Sequence, residues 1–345
     1  MVAGVGRRRR HPLAARLARM RRTLHLLGAV LAVAALAYFA VHASRNLVGH
    51  DLRQLLSPGA IAAGAALTML YTVLTPITAL AWAWLLRSLG QPARFTTTAP
   101  ILAATQFGKY LPGNVAHHLG RVVVARAHGL GTGPVVLSMA YETLLVVVAC
   151  AHVGALTLLW HPPAELAEWP LARHRGAIAI AVSVGALGLM AAAPAIARLL
   201  ARLRSGGTGP AMMRTRPGWG ATLACYLSYA LNFVLVGFGL WLVAGTLASA
   251  DATVANLVLL IGAFASSWIL GFLAPGAPAG LGIREAVLSV WLGAAFGAAT
   301  AVSLVIVLRI ATTLGDLLNF LWGSFVLARR SRRERSVASD PEHAR

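Results

Sequence analysis

Three carboxylates stand inside runs of apolar residues, where a charge is costly to place. They are Glu142 in MAYETLLVVV, Glu285 after a stretch rich in proline and glycine, and Asp316 in RIATTLGDLLNF. A charged side chain near the centre of a bilayer costs about 3 kcal/mol on insertion scales. We therefore expect these carboxylates to pair with cations or to face water.

Basic residues that could pair with the three acids lie in the same parts of the chain: Lys109, Arg121, Arg126, Arg284 and Arg309. Arg309 and Asp316 are seven residues apart, about 10.5 Å along a helix and on one face. This is too far for a direct bond, so each is expected to meet a charge from another helix. Our hypothesis is that Asp316 or Glu285 neutralises Lys109 or Arg284, which leaves an arginine for a ligand phosphate. The alternative is that the ion pairs only lock the bundle together.

The segment GKYLPGNVAHHLGR, residues 108–121, interrupts the apolar pattern and carries the first group of candidate ligand residues. Lys109, Asn114 and Arg121 could bind a headgroup, and Pro112 and Gly113 would break a helix. His117 and His118 are adjacent, so they point about 100° apart on a helix and cannot chelate one metal together. No known metal-ligand spacing occurs in the chain, and we predict neither a metal site nor a cofactor.

A second interruption, APGAPAGLGIRE at residues 274–285, contains Pro275 and Pro278 and then Gly280 and Gly282 before Arg284. The Gly-Leu-Gly sequence frees backbone amides where the next helix begins, a place suited to an anion. Two proline- and glycine-containing breaks, each followed by arginine, are typical of a binding site near the bilayer midplane built from broken helices.

The composition indicates what these segments interrupt. Hydrophobic residues make up 58% of the 345 residues, charged residues only 12%, and the mean hydropathy is +0.72. Soluble domains are nearer half apolar and a quarter charged. The sequence therefore predicts an all-α, polytopic bundle of membrane helices.

About eight runs are apolar enough for transmembrane helices: Leu24–Val41, Gly59–Leu86, Pro134–Trp160, Gly176–Leu200, Trp219–Leu247, Ala255–Leu273, Ala286–Ala298 and Thr300–Leu327. A cleaved signal peptide is the alternative for the first run. The segment Ala99–Phe107 is apolar but too short to cross. It predicts a re-entrant segment near 99–121, matched by a broken one near 274–286, or alternatively an amphipathic helix on the cytoplasmic surface.

The net charge of +20 comes from arginine clusters that flank apolar runs, at residues 7–22, 198–216 and 329–345. Cytoplasmic loops carry such clusters, so we predict a multi-pass protein of the cytoplasmic (inner) membrane with both termini inside and no nucleic-acid partner. Orientation alone explains the clusters, and binding of anionic headgroups is an additional role that the sequence leaves open. We divide the chain into a basic N-terminal segment (1–23), a membrane domain (24–327) and a basic tail (328–345).

The sequences KYLPGNVAHHLGRVVVAR and PAGLGIREA, with an intramembrane glutamate between them, resemble the membrane region of lysylphosphatidylglycerol synthases. The resemblance covers residues 24–327. It implies flippase-like movement of a lipid, with membrane lipids of anionic or polyprenyl-phosphate type as partners. The positions it singles out are Lys109, Pro112, Gly113, Asn114, Arg121, Glu142, Gly280, Gly282, Arg284 and Glu285.

The chain departs from that family in two ways. Family members often have an arginine directly after the glutamate and an aspartate soon after it, whereas this chain has Thr143 and no nearby acid. Only 18 residues follow Leu327, so we expect no soluble aminoacyl-transferase domain and no synthase activity. The leading function is transport of an anionic lipid. An enzyme acting on a lipid-linked substrate, and a non-transporting partner of a lipid or glycan synthesis complex, are the alternatives. A homo-oligomer is also open.

Overall fold

A computed structural model describes residues 52–110, 116–160, 174–204, 217–247, 253–274 and 278–338, together with five separate positions between 37 and 45. Within these ranges the regular structure is entirely helical. The nine α-helices there are α1 (Pro58–Ser88), α2 (Phe95–Gln106), α3 (Ala116–Ala127), α4 (Thr132–Trp160), α5 (Arg175–Arg204), α6 (Trp219–Leu247), α7 (Val254–Leu273), α8 (Ile283–Phe296) and α9 (Ala298–Ala338).

Six of these helices, α1, α4, α5, α6, α7 and α9, are long and apolar enough to cross a membrane. They correspond to six of the eight predicted spans, and the chain is a multi-pass membrane protein. Most of the predicted run Ala286–Ala298 falls in α8, a helix of 14 residues that ends at Phe296 with Gly297 as its C-cap. Gly297 has φ 79, which ends α8 and begins α9. The predicted span Leu24–Val41 lies almost wholly outside the described residues.

Local signals set the helix starts. Ser57 caps α1 by accepting a hydrogen bond from the Ala60 amide at 3.2 Å, and Pro58 occupies the first turn. Thr253 caps α7 in the same way, accepting from the Asn256 amide at 3.2 Å. These caps fix the residues at which the two apolar runs become helical.

Helix α1 is in contact with α2, α6 and α9. Close approach depends on glycine. A Cβ on Gly237 of α6 would lie 2.6 Å from the Cα of Ile261 on α7, and one on Gly323 of α9 would lie 2.6 Å from the Ala104 nitrogen on α2. Small residues at such crossings let backbones meet, which is how membrane helices gain packing energy in lipid.

Hydrogen bonds from asparagine side chains to neighbouring helices supplement this packing. Asn319 of α9 donates to the Thr72 carbonyl oxygen at 3.2 Å, and Asn232 of α6 donates to the Thr78 hydroxyl at 3.4 Å. Both asparagines stand within apolar helices, where an unpaired amide would be costly. Each asparagine thus forms an interhelical hydrogen bond.

Helix α2 contains the predicted short segment 99–107 and is half buried against α1 and α9. Thr98 donates to the Ala79 carbonyl oxygen on α1 at 2.9 Å. A short 3-10 turn, Phe107–Tyr110, follows α2, and α3 begins at Ala116. Pro112, Gly113 and Asn114 lie outside the described residues.

Candidate functional site

A cavity of about 280 Å³ lies among the helices, bordered by both interrupted segments. The turn Phe107–Tyr110 contacts a second 3-10 turn, Pro278–Gly280, so the two breaks meet in space. At the density of liquid water the cavity would hold roughly nine molecules. It combines charged, hydroxyl and aromatic side chains.

The first ion pair joins the turn after α2 to α9. Lys109 Nζ lies 2.7 Å from Asp316 Oδ2 and donates to the Tyr71 hydroxyl at 3.0 Å. The Tyr110 hydroxyl donates to the same carboxylate oxygen at 2.6 Å. Asp316 is 2% exposed and Lys109 19%, so the acid is the more deeply buried partner, and both residues line the cavity.

The second pair joins α3 to α4. Arg121 Nη2 lies 2.7 Å from Glu142 Oε2, although the atoms are not aligned as a hydrogen bond. The Arg121 guanidinium also stacks on the Trp82 ring, 3.7 Å from its centroid. Trp82 is itself fixed, because its indole N–H donates to Ser138 Oγ at 2.9 Å. A cation–π contact of this kind stabilises a desolvated guanidinium by about 2 kcal/mol.

The third pair joins the start of α8 to α9, with Arg309 Nε against Glu285 Oε1. Glu285 is buried, and Arg309 borders the cavity with a quarter of its side chain exposed. Arg309 Nη2 is buried without a hydrogen-bond partner. The prediction that Arg309 and Asp316 each meet a charge from another segment is confirmed.

Arg284 differs from the other three cations at the cavity. Among the described residues it has no carboxylate partner, and its Nε is buried without a hydrogen bond. The guanidinium lies 5.4 Å from the centroid of the Trp268 ring. Of the two arginines predicted as headgroup ligands, Arg284 is therefore the one whose charge no acid neutralises.

The second break makes room for Arg284. A Cβ on Gly271 would lie 2.5 Å from Arg284 Cγ, and one on Gly280 would lie 2.6 Å from Arg284 Nε. Gly280 and Gly282 have φ 69 and φ 84, values that favour glycine. Gly282 stands directly before α8, so the first amides of that helix, near Arg284, have no intrahelical acceptors and no side-chain cap from Gly282. Pro278 begins the 3-10 turn, and Pro275 lies outside the described residues.

Two adjacent histidines, one of them neutral, lie at the cavity. His117 and His118 are both at the cavity with ring centroids 3.8 Å apart. The pKa of His117 is lowered to about 3, mainly by burial and further by electrostatic interaction with His118, Lys109 and Arg121. His117 is therefore neutral at physiological pH. In the described part of the chain, no group of three His, Cys, Asp or Glu side chains could hold a metal.

Comparisons with protein-family models, with curated proteins and with solved structures found no match for this chain. The resemblance to lysylphosphatidylglycerol synthases stays a prediction. The geometry also brings in residues that sequence reasoning missed: Tyr71, Trp82, Tyr110 and Trp268.

Proposed function

We propose that this chain is a protein of the cytoplasmic membrane that moves a lipid with an anionic, phosphate-bearing headgroup between the two leaflets. The observation that carries the proposal is Arg284, a partly buried cation beside a cavity, whose Nε is buried without a hydrogen bond and which has no acid partner among the described residues. A buried charge is expensive without a counter-charge, and a ligand anion supplies one.

The phosphate is held between Arg284 and Arg309 in this proposal. Arg284 Nε and Arg309 Nη2 are both buried donors without partners, and both residues line the cavity. Arginine N–H groups suit phosphate oxygens, and charge-assisted hydrogen bonds are about twice as strong as neutral ones. The free amides at the start of α8 add donors for the same anion.

The path across the membrane follows the two breaks. The turns at Phe107–Tyr110 and Pro278–Gly280 contact each other, which supports re-entrant segments that meet at membrane depth. Non-helical backbone is tolerated there against protein or a water-filled cavity. The headgroup passes through the cavity while its acyl chains stay in lipid. The arginine clusters orient both termini toward the cytoplasm, and the resemblance to the synthases agrees with this activity.

Binding is tested first, on purified protein in lipid nanodiscs, by titration calorimetry with dihexanoyl phosphatidic acid. Loss of a hydrogen bond to a charged group costs about 1.5–3 kcal/mol, so Arg284→Gln should weaken binding about 10- to 100-fold. Arg329→Gln, an exposed arginine on α9, is the matched control and should bind like wild type. Inorganic phosphate, which lacks acyl chains, should bind much more weakly than the lipid.

Transport is tested in proteoliposomes with fluorescent phosphatidylglycerol in the inner leaflet, using dithionite to quench only the outer leaflet. Wild type should accelerate the appearance of probe outside, and Arg284→Gln should abolish the acceleration. Lipid binding without any movement would instead favour a non-transporting partner of a synthesis complex. If Arg284→Gln binds phosphatidic acid as well as wild type does, the proposal is wrong.

A further inference from the structure

We infer that the headgroup handled by this cavity bears hydroxyl groups beside its phosphate and carries no cationic group. The inference rests on the proposed function and specifies its substrate class. It starts from Asn232 Oδ1, a neutral acceptor at the cavity that is buried without a hydrogen bond, as the Arg284 Nε donor is.

The orientation of the Asn232 amide follows from its neighbour. Thr78 has one hydroxyl hydrogen, and it is donated to the Leu74 carbonyl oxygen at 2.8 Å. The Thr78 oxygen can therefore only accept from Asn232, so the amide presents its N–H₂ to Thr78 at 3.4 Å. Its oxygen remains as a buried acceptor with no partner among the described residues. An unsatisfied buried acceptor costs about 1–3 kcal/mol, which a donor on the ligand would recover.

The donor on the ligand could be a hydroxyl or an ammonium, and the charge of the cavity decides between them. Four cations border the cavity and are countered by three carboxylates, which leaves a net charge of +1. A phosphate neutralises this excess, whereas an ammonium beside it would restore it. Neutral hydroxyl groups add no charge and can both donate and accept.

The rest of the lining suits a polyol. Thr75, Thr143 and Tyr229 add hydroxyls to the wall, and the cavity has space beyond a phosphate group. Each of the three carboxylates is already paired with a cation of the protein, so a cationic aminoacyl headgroup would have to displace that cation. A glycerol or sugar phosphate instead offers an anion to Arg284 and a hydroxyl donor to Asn232 Oδ1.

The test compares three dihexanoyl lipids on the wild-type protein in nanodiscs by titration calorimetry. Phosphatidic acid offers phosphate alone, phosphatidylglycerol adds hydroxyls, and phosphatidylethanolamine adds an ammonium. A net hydrogen bond is worth about 0.5–1.5 kcal/mol, so phosphatidylglycerol should bind about threefold to tenfold more tightly than phosphatidic acid. Phosphatidylethanolamine should bind more weakly than both.

Variants then locate the effect. Asn232→Leu should bind phosphatidic acid like wild type and lose the preference for phosphatidylglycerol, and Asn232→Ala is a second variant with a smaller side chain. Asn319→Leu is the matched control, because Asn319 is also an asparagine within a helix but does not line the cavity. It should keep the wild-type ratio of the two affinities.

The results separate the two claims. If all lipids bind through Arg284 but phosphatidylglycerol and phosphatidic acid bind equally, the hydroxyl preference is wrong and the proposed function stands. A preference for phosphatidylethanolamine would overturn the inference as well. If no lipid binds, the proposed function fails and the inference fails with it.

Discussion

Lys109 and Asp316 provide the sharpest test of how the interrupted segment is held in place. Their charged atoms are 2.7 Å apart, with Asp316 2% and Lys109 19% exposed. At an effective dielectric constant near 20, the attraction at this distance is about 6 kcal/mol. Desolvation of both groups offsets most of it, so the pair adds little stability relative to two apolar residues. Breaking it from one side is different, because a buried charge is left alone.

The two single substitutions are expected to differ. Lys109→Met leaves Asp316 enclosed, with only the Tyr110 hydroxyl as a donor, and should cost about 3–5 kcal/mol. Asp316→Leu leaves Lys109, which can turn toward the cavity and keep the Tyr71 hydroxyl as a partner. It should cost about 2 kcal/mol, below the range for a fully enclosed charge. The double variant should cost less than the sum of the two by about 2–3 kcal/mol.

The assay is equilibrium unfolding in mixed micelles by titration with dodecyl sulfate, followed by circular dichroism. Arg126→Met, an exposed basic residue on α3, is the control and should change stability by at most about 0.5 kcal/mol. Strictly additive single substitutions would show that the pair does not form in the folded protein. Equal costs from the two sides would refute the argument from burial.

Two further predictions concern glycines. Gly271→Ala should push Arg284 aside, since its Cβ would lie 2.5 Å from Arg284 Cγ. This substitution should weaken binding of phosphatidic acid several-fold at a nearly unchanged melting temperature. The control Gly293→Ala has open space around its Cβ and should bind like wild type. Equal affinities in the two variants would contradict the role of Gly271. Gly237→Ala should destabilise the protein by about 1–3 kcal/mol, because backbone atoms of Ile261 cannot move away from the new Cβ. The control Gly245→Ala, on the same helix, meets nothing within 4 Å and should be neutral or stabilising by up to about 1 kcal/mol. The two variants are compared by their melting temperatures in nanodiscs. A Gly237→Ala variant as stable as wild type would show that α6 and α7 are not in close contact.

Much of the fold was predictable because membrane insertion constrains length and polarity strongly. Apolar runs such as Trp219–Leu247 match α6 residue for residue. The need of Asp316 and Arg309 for partners also followed from the cost of a lone charge in lipid. The identity of each partner did not, because Lys109 and Asp316 are 207 positions apart and only packing brings them together.

The aromatic side of the site was not predictable. Trp82 and Trp268 occur in apolar helices, where a tryptophan that faces lipid and one that stacks on arginine have the same sequence context. The free acceptor of Asn232 was hidden for a similar reason. It depends on which group receives the Thr78 hydrogen, a detail set by local geometry and not by residue type.

Helix α9 carries both Asp316, which holds the turn after α2, and Arg309, which holds the start of α8. A single helix is thus joined by ion pairs to both interrupted segments, at positions two helical turns apart. A translation or rotation of α9 would strain both ion pairs at the same time. The turn after α2 and the start of α8 are therefore coupled through α9. While both ion pairs are formed, a movement of one of these segments relative to α9 is expected to be opposed by its ion pair.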